Sequence, residues 1–412
     1  MEISASAFLT NINLTVIDVL ILILCLSATL FYCYSIYSAV VTFGESHIYA
    51  PNFSPPITIL KPICGLDRDI YENLATFCQQ EYSTYQIIFS VRSPQDPGIN
   101  VVKRIIQDFP RLDIQLIVCN RIIGTNLKVS NLANALSFAK YEILVIADSD
   151  IRVGKDYLQR VVQPLHNKNV GVVTCLYRSV AQGWVEKLEA VGTACDFNAG
   201  AITSKQLEGM KFALGSTIVI RREVLKAIGG FEAIADYLAD DFQLGYLTAQ
   251  MGYKVMLSDY IVEHILFANT LIDSIQRQIR WLRGIRVSRP WGYFGLVFTY
   301  GNITSFILIV TIKASILCWF GLAITWIVRL IMGWIVGVKY LQDSSAKKYF
   351  WLVIFRDLMS FTIWCYCFCG TTIEWRGLQF KLTKDGKIIP KVKDVTEQRR
   401  ITPQKPQVQT EE

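Results

Sequence analysis

A nearly uninterrupted apolar run covers about residues 14–41, broken only by Asp18, and apolar sequence returns over about 294–312, 314–338 and 349–370. Each run is long enough to approach or cross a hydrocarbon core of about 30 Å. In lipid a backbone must satisfy its own hydrogen bonds, so such stretches read as membrane helices. The mean hydropathy of +0.34, with 52% hydrophobic and 18% charged residues in 412, excludes a chain that is soluble throughout. The first run is too long for a cleaved leader and lacks a basic flank and a small-residue cleavage pattern, so it reads as an anchor. The net charge of +7 lies mostly near the apolar runs and in the tail, as membrane-surface charge rather than a nucleic-acid face. Eleven cysteines form no CxxC pair, and Cys25, Cys33 and Cys318 sit in apolar runs, which points to reduced thiols.

From about Pro51 the texture becomes short strands alternating with amphipathic helices, the pattern of a parallel sheet covered by helices. Strands are expected at 57–60, 86–91, 113–118, 143–147, 170–177 and 212–220. Helices are expected at 70–80, 100–109, 131–139, 184–198 and 221–228, with a loop at 124–130. Neither GxGxxG nor GxxxxGK[ST] is present, which disfavours a dinucleotide fold or a P-loop.

Three constellations carry chemistry. Asp148 and Asp150 follow a buried strand, where α/β sheets bind ligands, and could share one small cation with a diphosphate. The plain alternative is an acidic turn. Asp240 and Asp241 open a helix, a position that the helix dipole favours for carboxylates whether or not they react. Arg277, Arg280 and Trp281 share one helical face, and arginine forks suit phosphate oxygens. A basic juxtamembrane helix is the alternative there.

In order and spacing, Leu60-Lys-Pro-Ile-Cys-Gly65, Gly124-Thr-Asn-Leu-Lys-Val-Ser-Asn-Leu132, Asp148-Ser-Asp150, Gly229-Gly-Phe231, Ala239-Asp-Asp241, Arg277-Gln-Ile-Arg-Trp281 and Glu374-Trp-Arg-Gly377 are similar to family 2 glycosyltransferases. The chain most resembles the ceramide glucosyltransferase group, family 21, and its bacterial hopanoid-biosynthesis relatives. The resemblance implies an α/β GT-A domain at 42–290, between an anchor at 1–41 and membrane segments at 291–370, with a basic, partly disordered tail at 371–412. It implies a nucleotide-sugar site lined by Lys61, Pro62, Lys128, Asn131 and Asp240, and a divalent cation, Mg or Mn, on Asp148 and Asp150. Asp241 would be the catalytic base, with Arg277, Arg280 and Trp281 as the (Q/R)xxRW element over diphosphate and acceptor.

Two positions depart from the family pattern. Ser93 stands where its first aspartate is expected, with Asp96 as the substitute, and Cys195 stands where related lipid enzymes can carry a histidine. His264 is a further candidate metal ligand, with a structural histidine as the alternative.

The implied reaction moves a hexose from a UDP-sugar, glucose favoured, to the hydroxyl of a membrane lipid such as ceramide, with inversion. The alternatives are transfer from UDP-glucose or UDP-N-acetylglucosamine to a hopanoid or diacylglycerol, a processive polysaccharide synthase, and a non-catalytic scaffold. Lys381, Lys384, Lys387, Lys391 and Lys393 place the tail, with the catalytic domain, on the cytosolic side of a bacterial inner membrane or of Golgi or ER. Arg356-Asp357 inside the last apolar run points to a re-entrant or interfacial segment, because a charged pair in lipid is costly.

Overall fold

The computed structural model describes residues 15–45, 50, 52–268, 270–311, 316–391 and 407–408. The sheet is built from β1 (Ile57–Ile63), β2 (Tyr85–Val91), β3 (Asp113–Val118), β4 (Ile143–Ala147), β5 (Ile151–Arg152), β6 (Val170–Val180), β7 (Thr217–Arg221) and β8 (Lys254–Ile265). Their order is β3-β2-β1-β4-β7-β6-β8-β5, with 407–408 added antiparallel on β3. β1, β2 and β4 are buried along their whole length, which is why they read as apolar runs rather than as alternating patterns.

The sheet is mixed rather than purely parallel. β1 runs parallel to β2 and β4, but β7 runs antiparallel to both β4 and β6. The chain leaves β6 into the helices Trp184–Gly192 and Asn198–Glu208 and then returns directly along β7, without crossing back to the other end of the sheet. Sequence reasoning missed β8, whose outward residues interrupt its apolar pattern. It also missed the small antiparallel sheet of β9 (Thr372–Trp375), β10 (Leu378–Leu382) and β11 (Ile388–Pro390). The expected loop at 124–130 is in part helical, because Asn126 caps a helix that begins at Leu127.

Among the described residues, Val16–Gly44, Cys318–Tyr340 and Ser344–Cys367 are long and apolar enough to cross a membrane, and Pro290–Thr299 with Gly301–Thr311 form a pair bent by 54°. The break is stitched by Tyr32 of the first helix, whose hydroxyl donates to Thr299 O at 2.6 Å and accepts from Gly301 N at 3.0 Å. Backbone groups freed by a bend inside a membrane need such partners.

Arg356 and Asp357 do not face outward from their helix. Both are buried in protein: Asp357 pairs with Arg329 at 2.6 Å and accepts from Asn302, and Arg356 donates to Gln278. Cys25, Cys33 and Cys318, the cysteines of the apolar runs, are free thiols. The disordered stretch expected beyond Lys391 falls outside the described residues, apart from 407–408.

Candidate active site

The ladder between β1 and β4 ends at Leu60 with Ile146, so Lys61 and Pro62 pair with β2 alone. That opens the edge of β1 towards the residues that follow β4. Lys61 is fully buried. Its Nζ donates to the Asp148 carbonyl at 2.9 Å and lies 3.5 Å from the centroid of the Phe77 ring. Burial lowers its pKa to about 7, against the opposing pull of Asp148 and Asp150. Lys61 thus sits beneath the site, holding the backbone of Asp148, rather than in its wall. Pro62 is buried beside it.

The side chains above are brought together from separate elements. Lys128, on the first turn of the helix Leu127–Leu136, lies 2.7 Å from Asp148 Oδ1 and 3.6 Å from Asp240 Oδ2. Burial opposes its charge, but the two carboxylates outweigh burial and raise its pKa. For Asp148 burial prevails over Lys128, and its pKa is raised. Asp150 lies 3.3 Å from His264 Nε2, through the pairing of β5 with β8. Burial is again the largest effect, yet His264 with Arg376 and Lys128 overcomes it and lowers the pKa of Asp150. His264 Nδ1 is buried without a hydrogen-bond partner among the described residues.

Asp240 and Asp241 open the helix Asp240–Gln250. Of the four aspartates here, Asp241 alone has no cation within ion-pair distance among the described residues. Burial, then its neighbour Asp240, pushes its pKa up to about 6. A Cβ on Gly215 would stand 2.9 Å from Asp241 Oδ2, so glycine there leaves the carboxylate room.

The arginine helix, Leu271–Ser288, closes the opposite side. Arg277 donates to Glu189 Oε2 at 3.0 Å and to Phe267 O at 3.3 Å. Arg280 lies 5.3 Å from the Trp375 ring centroid and has no carboxylate partner among the described residues. Burial, then Arg277 and Arg376, lowers its pKa to about 10. Trp281 is half-buried on the same helix.

Asp96 and Asn131 make backbone contacts near the end of β1. The Asp96 carboxylate accepts from Gly65 N at 2.9 Å and Gly98 N at 2.8 Å, tying the turn after β1 to the start of the helix Gly98–Asp108. Asn131 Nδ2 donates to Ile63 O at 3.4 Å, and its Oδ1 has no partner among the described residues.

Four further residues belong to the site and escaped selection from the sequence. Asn126 caps the Lys128 helix and donates to Asp240 Oδ1 at 3.3 Å, joining the two acidic pairs. Glu189 holds Arg277. Arg376, in the turn between β9 and β10, donates to Cys64 O at 3.2 Å and Asp67 Oδ1 at 3.3 Å, while Asp67 Oδ2 accepts from Ser149. Arg376 and Asp67 therefore tie the small sheet to the Asp148–Asp150 turn. For Arg376 the Glu374-Trp-Arg-Gly377 motif was a visible signal. For Glu189 and Asp67 the sequence held none, since each is one acidic residue whose partners are remote in the chain.

Asp148 Oδ2 and Asp150 Oδ1 accept no hydrogen bond among the described residues, so two hard oxygens from positions two apart are open to a cation. No group of three or more His, Cys, Asp or Glu poised for a metal occurs among those residues. A cation here would need further oxygens from a bound ligand, as a diphosphate supplies.

The model of the family described as Glycosyl transferase family 21 matches residues 20–388. Ceramide glucosyltransferase 1 of Caenorhabditis elegans is 26% identical over 346 residues, which is 81% of this chain and 73% of that protein. Ceramide glucosyltransferase of Komagataella phaffii is 36% identical over a shorter stretch of 114 residues, 27% of this chain and 22% of that protein. Among solved structures, the mannosyltransferase PcManGT of Pyrobaculum calidifontis, in complex with GDP-Man and Mn2+, aligns with a TM-score of 0.50 at 17% identity, covering 83% of this chain and 99% of that one. That likeness bears on the fold, a GT-A arrangement. With the family match spanning the anchor, the sheet, the arginine helix and the small β-sheet, this chain belongs to glycosyl transferase family 21.

Proposed function

We propose that the enzyme transfers a hexose, glucose favoured, from a UDP-sugar to the hydroxyl of a membrane lipid such as ceramide, with inversion at the anomeric carbon. The observation that carries this reading is the division of labour among four carboxylates: Asp148, Asp150 and Asp240 face cations, and Asp241 stays unpaired with its pKa raised towards neutrality. A lipid hydroxyl is a weak nucleophile, and a carboxylate within reach must take its proton as the glycosidic bond forms. Asp241 is that base.

Lys128, Arg277, Arg280 and Arg376 surround the place where a diphosphate would depart and stabilise the charge it gains. Asp148 and Asp150 would hold Mg or Mn, which neutralises diphosphate charge when bound. Asp96, Asn131 and Lys61 support the nucleotide end by fixing its loops, and His264 orients Asp150. With Asp241 as the one base and no second carboxylate left unpaired among the described site residues, direct displacement with inversion is the reading adopted.

Acceptance of a lipid fits the seating of the arginine helix at the end of the last membrane helix, where Arg283 donates to Cys369 O at 2.9 Å and Arg286 to Gly370 O at 2.8 Å, both just past the helix end at Cys367. The domain division at 42–290 and 291–370, with the catalytic side in the cytosol, belongs to the same reading. It is tested with the full chain in lipid nanodiscs, given UDP-glucose or UDP-N-acetylglucosamine, a panel of lipid acceptors, and Mg, Mn or chelator. A metal-dependent glycolipid of inverted anomeric configuration supports the proposal; release of a long polymer, or UDP binding without any transfer, overturns it.

A further inference from the structure

The three helices long and apolar enough to cross a bilayer among the described residues are not held alike at their ends. Two of them run side by side in the same direction. Phe43, near the end of Val16–Gly44, stacks on Tyr340 with ring centroids 4.6 Å apart, Thr29 meets Thr325 at 3.0 Å, and Cys25 packs with Cys318 and Leu322. The Phe43–Tyr340 end belongs to the transferase domain, because Glu45 pairs with Lys205 there at 2.9 Å. The Cys25–Cys318 end lies about 27 Å back along the first helix, away from the domain. The arm Gly301–Thr311 leads towards it, since Gly301 meets Tyr32 while Leu308 and Ile309 pack with Cys25. By Cys318 the chain has reached the far side, and by Tyr340 it has returned.

The third helix, Ser344–Cys367, is held by the domain at both ends. At its start Asp343 accepts from Ser179 N at 3.0 Å, and Ser179 pairs across the β6–β8 ladder with His264, the neighbour of Asp150. Just past its end, Cys369 O and Gly370 O accept from Arg283 and Arg286 of the arginine helix at 2.9 and 2.8 Å. The domain also follows it in between. Arg356 fills the place where a Cβ on Gly192 would stand and donates to Gln278, Ser360 Oγ donates to Asp196 at 3.4 Å, and Cys367 Sγ lies 3.8 Å from Ile279 O. A helix of 24 residues is about 36 Å long, so one that crossed a hydrocarbon core of about 30 Å would carry its last residues to the far side. Arg283 and Arg286 could not then reach them.

The face that this helix turns away from protein is apolar. Trp351, Phe355, Leu358 and Tyr366 are exposed at helical spacing. The strip continues through Phe368, whose ring centroid lies 5.6 Å from that of Phe294, to the exposed Trp291 on Pro290–Gly295. An aromatic-rich face of this kind, with the charges of Arg356 and Asp357 turned inward, suits the boundary between headgroups and acyl chains.

We propose that Ser344–Cys367 does not cross the membrane but lies in its plane, with this face in the lipid leaflet on the domain's side. The bilayer is then crossed by Val16–Gly44 and once out and back between Gly301 and Tyr340, which leaves the β9–β11 sheet and Lys391 on the side of the domain. Arg356 and Asp357 sit at the leaflet boundary instead of the bilayer centre, where a charged pair is most costly. None of this depends on which sugar or acceptor is used.

The test uses the full chain in sealed vesicles of mixed orientation, with one specific protease site inserted in the exposed turn after Lys168 and a second after Glu412. Protease added outside should leave chains cut at both sites or at neither. Chains cut at one site only, the pattern produced by a crossing last helix, overturn the proposal. Depth is read separately, from a fluorescent amino acid encoded at Phe355 or at Tyr366 and lipids brominated at successive acyl carbons. Both positions should be quenched most by bromines about 5–10 Å below the headgroup boundary, and at the same depth. The two positions lie about 16 Å apart along the axis, so depths that differ by most of that distance, or strongest quenching at 355 by bromines at the chain ends, overturn it as well. UDP affinity in calorimetry, equal to that of the unaltered chain, reports that each form is folded.

Discussion

At Asp241 two opposing influences set the working range. Burial and Asp240 raise its pKa to about 6, and Lys128 pulls it down. The base must be ionised to accept a proton, so kcat/KM should fall as pH drops through about 6 and level off above it. Replacing Lys128 with Met removes the cation that favours the ionised form, so the acid limb of the residual activity should move to higher pH; a limb that stays in place would show that Lys128 does not act on this carboxylate. Asp241→Asn should cost about 10²- to 10⁴-fold in kcat, the usual contribution of a general base, with UDP affinity in calorimetry unaltered. The types of these residues were legible from the sequence, since paired carboxylates at a strand end and at a helix start are local patterns. Their protonation was not, because it depends on burial and on Lys128 arriving from another helix.

Among the elements, the two helices that deliver Lys128 and the acidic pair depend on small contacts. Asn126 accepts from Lys128 N at 3.0 Å and Val129 N at 3.2 Å, and donates to Asp240. Asn126→Ala should lower stability by about 1 kcal/mol from the lost cap and should also weaken UDP binding, because Lys128 and Asp240 lose their common anchor. Thermal inactivation and calorimetry on one preparation check both. Gly245 brings the Asp240–Gln250 helix against the backbone of Phe212 and Ala213, where a Cβ would clash with main-chain atoms that cannot swing aside. Gly245→Ala should cost about 1–3 kcal/mol in the same assay and lower kcat as Asp241 shifts. Strand and helix positions in the first half of the domain were readable because both faces of β1, β2 and β4 are apolar. β8 and the β9–β11 sheet were not, since half-exposed strands owe their stability to neighbours that the local sequence does not name.

Across the whole molecule, the membrane helices and the transferase domain share buried ion pairs. Arg329 lies 2.6 Å from Asp357 and also pairs with Asp196, which follows Cys195 in the π-helical turn Thr193–Phe197; Cys195 itself packs on the same membrane helix, with its Sγ 3.6 Å from Gly333 O. Removing one partner of such a pair is far more costly than removing both. Asp357→Leu should destabilise by roughly 3–5 kcal/mol, and Asp357→Leu with Arg329→Leu should recover most of that in thermal inactivation. Similar losses in the single and double variants would mean that the pairing itself contributes little.

The sequence by itself determined the membrane runs, the α/β texture between them, and most residue types in the site, because hydrophobic periodicity and strand-end carboxylates are written within a few consecutive residues. It also placed Arg277, Arg280 and Trp281 on one face, since helical geometry fixes neighbours at three and four residues. Only the tertiary structure decided that Lys61 lies under Asp148, that Asp96 ties two loops together, and that Arg356 and Asp357 are sheltered inside protein. It alone joined Arg376 to Asp67 across 309 positions of chain. The physical reason is common to these cases: the energy of a buried charge is set by partners that are near in space and far in sequence, and only the packed fold brings them together.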